Sequence, residues 1–402
     1  GFTIAGSASV NLIDSTVNAN IKNAKLTTLS ALNNVAYDKD VQVAGGVSAD
    51  YAKTSVGIGA AVSVENVKNN ITASIKDSTI TDASYVNNRA LSKLTQVGSA
   101  VSVGLSSGDA AYASINGAVV VNKVKNNLES FVENSTITAK AVKVEAADGT
   151  LTQGEEEHKE VTKLKELTTP DESKTKAFNL EGEKAIENAK DLSVDTEGEE
   201  AFKLDTKGDY KKLSDGTFVE LTPEEKTSYT GDKYARNDEV VYKTTAYDTN
   251  HSGNTIVGSA VGVDVSSSKN PGAALSASVV YDFVDNDFTA NVKNSAITVT
   301  GTETNDKLSV AANSDTLMVS SAAGVAAKTG GGKGASLGGS VVLSYLDNDT
   351  KALIENNNQA ITANKVDVLA KTASKNISTG GEIGVSTGGI AAGLTWAQNS
   401  LN

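Results

Sequence analysis

The chain has 402 residues, 49 acidic against 36 basic, for a net charge of −13, with no cysteine and two histidines. The absence of cysteine excludes disulfides, thiolate metal sites and thiol catalysis. His158 and His251 leave little room for imidazole chemistry, and an acidic chain lacks the basic stripe that nucleic acid requires. The longest apolar runs, such as 115–121 and 322–327, fall far short of the roughly 18–20 residues of a spanning helix, so no membrane span is expected. The start at Gly1, with no Met and no basic segment before an apolar core, reads as the edge of a longer protein.

In chain order, the first feature is a partial repeat: Ile13, Val17, Ala19, Ile21, Asn23 and Leu26-Thr27. It returns complete as Val67-Lys68-Asn69-Asn70-Ile71, Ala73, Ile75 and Asp77-Ser78-Thr79-Ile80-Thr81. The next copies are Val124-Lys125-Asn126-Asn127-Leu128 to Asn134-Ser135-Thr136-Ile137-Thr138, and Val284-Asp285-Asn286-Asp287-Phe288 to Asn294-Ser295-Ala296-Ile297-Thr298. A looser copy begins at Leu346-Asp347-Asn348-Asp349 and reaches Ile361-Thr362 with two extra residues. Fixed-period self-similarity is the mark of a stacked repeat architecture.

Each copy opens with a Gly/Ala/Ser-rich stretch, centred on Val47, Val101, Val261, Val325 and Val385, at spacings of 54, 160, 64 and 60. Most copies close on an alternating strand: Ala141-Val142-Lys143-Val144, Lys307-Leu308-Ser309-Val310 or Lys365-Val366-Asp367-Val368. The period is that of β-structure. Val56, Ile58, Ala60, Val62 and Val64 take every second position, with Gly57, Gly59, Ala61 and Ser63 between them.

Tandem sandwiches need about 100 residues each and a bulky core. Units of this size with 5% aromatic residues suit a solenoid, in which small and β-branched side chains stack in ladders about 4.8 Å apart. The expected fold class is all-β, a right-handed parallel β-helix with a projecting α+β insertion. Roughly 20 residues per coil would put three coils in each copy, and a stack on the order of 70 Å. Within a copy, two arrangements stay open. The Gly/Ala-rich strands form either successive coil strands or a hairpin with tips at Ser107-Gly108-Asp109, 268–272 and 329–334. Val67, Ile71, Ile75 and Ile80, with Val124, Leu128, Val132 and Ile137, are expected to point inward.

The spacing of 160 contains an inserted segment. Repeats occupy 1–153 and 248–402, and a charged module or loop occupies 154–247. Residues 154–245 hold 24 acidic and 15 basic residues and two of the three prolines. Thr168-Thr169-Pro170 and Thr222-Pro223-Glu224-Glu225 read as capped helix starts. Residues 210–219 read as a hairpin on the Asp215-Gly216 turn. The alternative is a disordered acidic loop. Tyr210, Phe218, Tyr229, Tyr234, Tyr242 and Tyr247 serve either a small core or an interface. The two edges of the insertion match one repeat junction, so they should lie close together, at a turn.

Asp285-Asn286-Asp287 and Asp347-Asn348-Asp349 offer hard oxygen ligands. The simpler reading makes Asn69, Asn126, Asn286 and Asn348 corner residues that satisfy backbone groups. The two arginines, Arg89 and Arg236, and the two histidines form no catalytic pattern. No catalytic, cofactor-binding or metal-ligating residue is assigned, no cofactor is expected, and the chain is not expected to be an enzyme. Trp396 reads as a strand residue.

Outside the insertion, the chain resembles passenger segments of large bacterial filamentous adhesins exported by type V routes, autotransporter or two-partner, and the leukotoxin-type family among them. The resemblance lies in Gly/Ala-rich strands running into Val64–Ile75, and in the sequel Ser135–Val144. It implies a right-handed parallel β-helix at the bacterial cell surface or secreted. It also implies attachment to a host-cell protein or glycan, or to neighbouring bacteria. The alternative is a carbohydrate- or protein-binding module confined to the insertion, and more remotely a polysaccharide-degrading β-helix.

Overall fold

The computed structural model describes residues 2–27, 31–53, 56–108, 113–160, 252–303, 305–356 and 358–402. Between 161 and 251 it describes 166–167, 176–178, 186–187, 199–204, 207–212, 214, 218–230, 234–236 and 240–250. From 152 to 251, side chains are described only at 211, 214, 221–225 and 227–230. The chain divides into two compact units, Gly1–Leu151 with Thr249–Asn402, and Thr152–Asp248.

The first unit is all-β and parallel. One sheet stacks Phe2–Lys22, Val56–Lys76, Ala113–Glu133, Gly272–Lys293, Gly334–Glu355 and Ile390–Leu401, in that order. Every neighbouring pair runs parallel without a register shift. The second sheet stacks the returning strands, among them Ala31–Ala52, Thr79–Ser107, Asn254–Ser267, Thr316–Thr329 and Lys375–Ser386. A repeat copy is therefore one coil, not three. Alternation runs unbroken from the Gly/Ala-rich motif into the Asn-containing motif, so both lie on one strand of 21 residues. Six layers at about 4.8 Å make a stack on the order of 29 Å, shorter than the spacing of the motifs implied.

The register also settles the hairpin question. Ala52, Ser107, Ser267 and Thr329 end strands of the second sheet, and the following strands belong to the first. Each pairs in parallel with its counterpart in the next coil. The Gly/Ala-rich stretches are successive coil strands, and the expected hairpin tips are the turns that join the two sheets (Asp109 lies outside the described residues). Val261 pairs with Ala323, and Ala323 with Gly381. The Val positions assigned there stand further along, Val325 by two residues and Val385 by four. A slip of two or four leaves the outward face unchanged, so a periodic sequence does not reveal it.

The true corner of each coil is the Asx-Ser step. Asn23, Asp77, Asn134 and Asn294 have φ of 53°, 50°, 49° and 46°, a region that Asn and Asp tolerate better than other side chains. The serine that follows Asp77, Asn134 and Asn294 ties the corner to itself and to its neighbours. Ser78, Ser135 and Ser295 donate to the carbonyls of Lys76, Glu133 and Lys293 at 2.7, 2.8 and 2.8 Å. Their hydroxyls accept from the backbone N–H of Ala24, Ser78 and Ser135, each at 3.1 Å. The recurring Asp/Asn-Ser pair is thus a column of interlocked turns.

Polarity reverses within each strand. Val67, Ile71, Ile75 and Ile80 are fully buried, as are Val124, Leu128, Val132 and Ile137, so the expected core positions are correct. They form one core with Phe288, Val292, Ile297 and Val310, and a boundary layer with Leu94, Ile256 and Met318. In the Gly/Ala-rich half the same parity is inside, but small and polar residues occupy it. Gly57, Gly59, Ala61 and Ser63 face inward, and Val56, Ile58, Ala60, Val62 and Val64 face outward. Apolar residues move from even to odd positions between Val64 and Val67 with no bulge in the strand.

In the second unit, Lys207–Lys212 and Phe218–Glu220 pair antiparallel, Tyr210 against Glu220, as the expected hairpin requires. Helix α1 (Pro223–Ser228) begins at Thr222 with a reciprocal capping box to Glu225. The other expected helix start, at Thr168-Thr169-Pro170, lies outside the described residues.

Ile75→Asp places a charge in a dry ladder and is expected to cost several kcal/mol. Val62→Asp on the same strand faces outward and is expected to cost the fold of the single chain about 1 kcal/mol or less. Thermal unfolding of the two variants tests the reversal of apolar parity: equal losses would contradict it.

Candidate functional site

The thin half of the first unit encloses a polar column. Its starting point is the close approach of the two sheets: an added Cβ at Gly258 would lie 2.6 Å from both carboxyl oxygens of Asp282. One at Gly98 would lie 2.5 Å from Asn122 Oδ1. Glycine on one sheet makes room for the amide and carboxyl groups of the other. Glu65, Asn122, Asp282 and Ser344 occupy one register position in successive coils. Asn122 Nδ2 donates to Asp282 Oδ1 at 2.9 Å. Ser320 donates to Asp282 Oδ2, Ser344 to Ser320 at 2.6 Å, and Ser378 to Ser344 at 2.8 Å.

Four carboxyls inside the unit are moved far from the usual acidic range, each chiefly by burial. Glu65 is pushed up to about 7, with the Asp282 charge adding a smaller push and hydrogen bonds from Gln96 and the Ala44 backbone opposing it. Asp282 is pushed up to about 7 against the hydrogen bonds from Ser320 and Asn122. Asp264 rises to about 6 and Asp148 to about 7. In their neutral form these groups are hydrogen-bonding parts of a dry interior. None of the four is exposed to solvent, so the column does not present a reactive carboxylate to a substrate.

The residues singled out from sequence separate in space. Alternation sends Asp285 and Asp287 outward and Asn286 inward, so the Asp-Asn-Asp triplets do not converge on one point. Asp285 pairs with Lys125 at 3.1 Å, and Asp349 pairs with Lys351. Among the described residues no group of three His, Asp or Glu side chains is placed to hold a metal ion.

The asparagines are not at corners, as the simpler reading had them. They lie in mid-strand and form a buried amide ladder. Asn126 donates to Asn286 at 3.0 Å and Asn286 to Asn348 at 2.7 Å, while Asn69 stands in register beside Asn126. A second ladder, Asn34 to Asn88 at 2.7 Å and Asn88 to Ser130 at 3.0 Å, was not anticipated. Its signal was the recurrence of Asn33-Asn34 as Asn87-Asn88.

Arg89 is buried beside Glu145, Nε to Oε2 at 3.9 Å, with Lys143 on the same carboxylate at 3.1 Å. Trp396 is a strand residue and is 58% exposed. Tyr229 is half-buried. His251 and the side chains of His158, Arg236, Tyr210, Phe218, Tyr234, Tyr242 and Tyr247 lie outside the described residues.

The insertion leaves and re-enters at one point. Ser92 pairs with Asp148 and Thr95 with Thr255. The insertion thus stands where the preceding coil has the single residue Lys93 and the following coil has Asp315. The edges meet at Thr150 Oγ1 and Ser252 Oγ, 3.2 Å apart. Lys93 Nζ donates to the Ser252 carbonyl at 3.0 Å and also to that of Gly253. Asp148 accepts from the Asp315 backbone N–H at 2.8 and 2.9 Å. The edges are close, as expected, but the exit is not at a turn: the coil above runs as unbroken strand through the equivalent position.

A shallow depression of about 370 Å³ lies along the corner column, lined by Asn134, Ser135, Thr136, Asn294 and Gln359. Its polar, uncharged lining can hydrogen-bond a ligand and supplies no nucleophile–base pair. No protein-family model, no curated protein and no solved structure matches the chain.

Carboxyls that hold their proton more tightly when folded stabilise the unit fully below about pH 4, their unfolded value, and lose that contribution as pH rises to about 7. Each gives a slope of about −1.4 kcal/mol per pH unit in that window. Asp282→Asn keeps the hydrogen-bonding shape without the titration. Denaturant unfolding at pH 4 and pH 8 is expected to show the variant near the parent at pH 4 and more stable than it at pH 8.

Proposed function

We propose that the chain is a structural and adhesive segment of a large secreted or surface-exposed bacterial adhesin, mediating attachment to host cells or other bacteria. The observation that carries the reading is the combination of a repetitive all-β parallel stack with motifs resembling filamentous adhesin passengers. In that reading the coils form a scaffold whose outward ladders are freely variable, since inward positions alone maintain the stack. The polar corner column and the insertion are the surfaces offered to a partner, which is a host-cell protein or a glycan. A right-handed coil and a type V export route belong to the same proposal, as does location on the bacterial surface.

A second reading places binding in the insertion alone. It is favoured by the separation of Thr152–Asp248 as a compact unit and by its attachment through one pinned junction. Insertions of this kind are tolerated because lengthening a loop costs little extra closure entropy.

Fluorescent beads coated with the chain are expected to adhere to epithelial cells or to bacteria above an albumin-coated control. A variant with residues 154–245 replaced by a short Gly/Ser linker is expected to keep its β-structure by circular dichroism, because Thr150 and Ser252 already meet. Retained adherence in that variant assigns binding to the coils, and lost adherence assigns it to the insertion. No adherence by the parent chain contradicts the proposal.

A further inference from the structure

The outward face of the first sheet, in its Gly/Ala-rich half, is apolar across all six strands. From the register position of Phe2 to that of Val10, no outward residue is charged. Phe2 is 75% exposed, Ile390 70% and Leu394 71%. The half-exposed centre is Val119 and Val279. Six strands about 4.8 Å apart and nine residues at about 3.3 Å each give a face of roughly 850 Å². Soluble monomers rarely expose an apolar patch of that size without using it for association.

We infer that this face is the interface between two copies of the chain, packed sheet against sheet about a two-fold axis. The area is close to the roughly 800 Å² per partner of a standard stable interface. A flat, uncharged, in-register surface is complementary to itself, as a two-fold interface requires. Aligned sheets pack face to face about 10 Å apart through such side chains. Aromatic residues, enriched in interfaces, gather here: Tyr281 and Tyr345 are 6.0 Å apart, and Trp396 lies on the same face. Toward the corner the strand surface becomes charged, with the Lys125–Asp285 pair forming a polar rim. The outward face of the second sheet in its Gly/Ala-rich half is also apolar, but among the described residues there Tyr51 is the one aromatic, and Ser99, Ser259 and Ser321 interrupt it.

Hydrocarbon is the other apolar phase that such a face suits. The same strands carry charged outward side chains a few positions further on, Lys125 and Asp285 among them, which favours a polar-rimmed protein interface over hydrocarbon. The inference is independent of the adhesive reading.

Sedimentation velocity from about 1 to 100 µM is the test, on the full chain with its insertion. A dimer is expected. Val119→Glu and Val279→Glu, both outward, are each expected to weaken it at least tenfold with circular dichroism unchanged, whereas Val261→Glu on the second sheet leaves it intact. The chain has no cysteine, so Val279→Cys reports proximity directly and is expected to form disulfide-linked dimers on mild oxidation. A monomer at every concentration overturns the inference. So does a dimer that survives both first-sheet variants, or a monomer that co-floats with neutral phosphatidylcholine vesicles.

Discussion

In-register parallel pairing is the constraint on which the rest depends. When a strand lies on its counterpart without a register shift, each side chain sits about 4.8 Å from the equivalent side chain of the next coil. Whatever occupies a position must tolerate a copy of itself. Amides do so by donating to the next oxygen, as in Asn126–Asn286–Asn348. Serines at the corners do so by offering one hydroxyl to two coils. Aliphatic residues do so by stacking, from Ile75 to Val132 and Val292. Charges do so where the sign alternates, as Lys125 does beside Asp285.

The same constraint lets one strand carry two kinds of interior. At the wide end, Ile71, Leu128 and Phe288 fill the space between the sheets. At the thin end Gly98 and Gly258 bring the sheets together over a column of polar side chains. That column replaces apolar burial with hydrogen bonds and with carboxyls that burial pushes toward the neutral form. Its cost is a dependence on pH and an apolar exterior. Both consequences trace to the reversal of apolar parity between Val64 and Val67, and the insertion exploits neither. It enters at Asp148, where the strand of the second sheet gives way at one residue and Lys93 and Asp315 hold the two edges.

Much of this was legible in the residues. The copies aligned on Val67, Val124, Val284 and Leu346 are the copies that pair. The pairing of 210–212 with 218–220 and the Thr222 cap depend on neighbours a few positions away, so local chemistry sufficed for them. The coil length was misjudged because a strand of 21 residues has no internal mark at which a shorter coil would turn. The corner was misplaced to the Asn pair because Asn serves turns and ladders equally well, and only the backbone path distinguishes the two.

By itself, the sequence determined that the chain is β-structure of period two, that it repeats, that one charged segment interrupts it, and that Ile75 and its counterparts face a core. Alternation and self-similarity are properties of the chain, and they survive without knowledge of distances. The tertiary structure alone decided how many residues make one coil and which face of the Gly/Ala-rich half is inside. It also decided that Glu65 and Asp282 share one buried column and that Asp264 is buried among Ser114, Asn116 and Leu275. The physical reason is that alternation defines two faces but does not say which meets the other sheet. That choice depends on how closely two strands far apart in the chain approach.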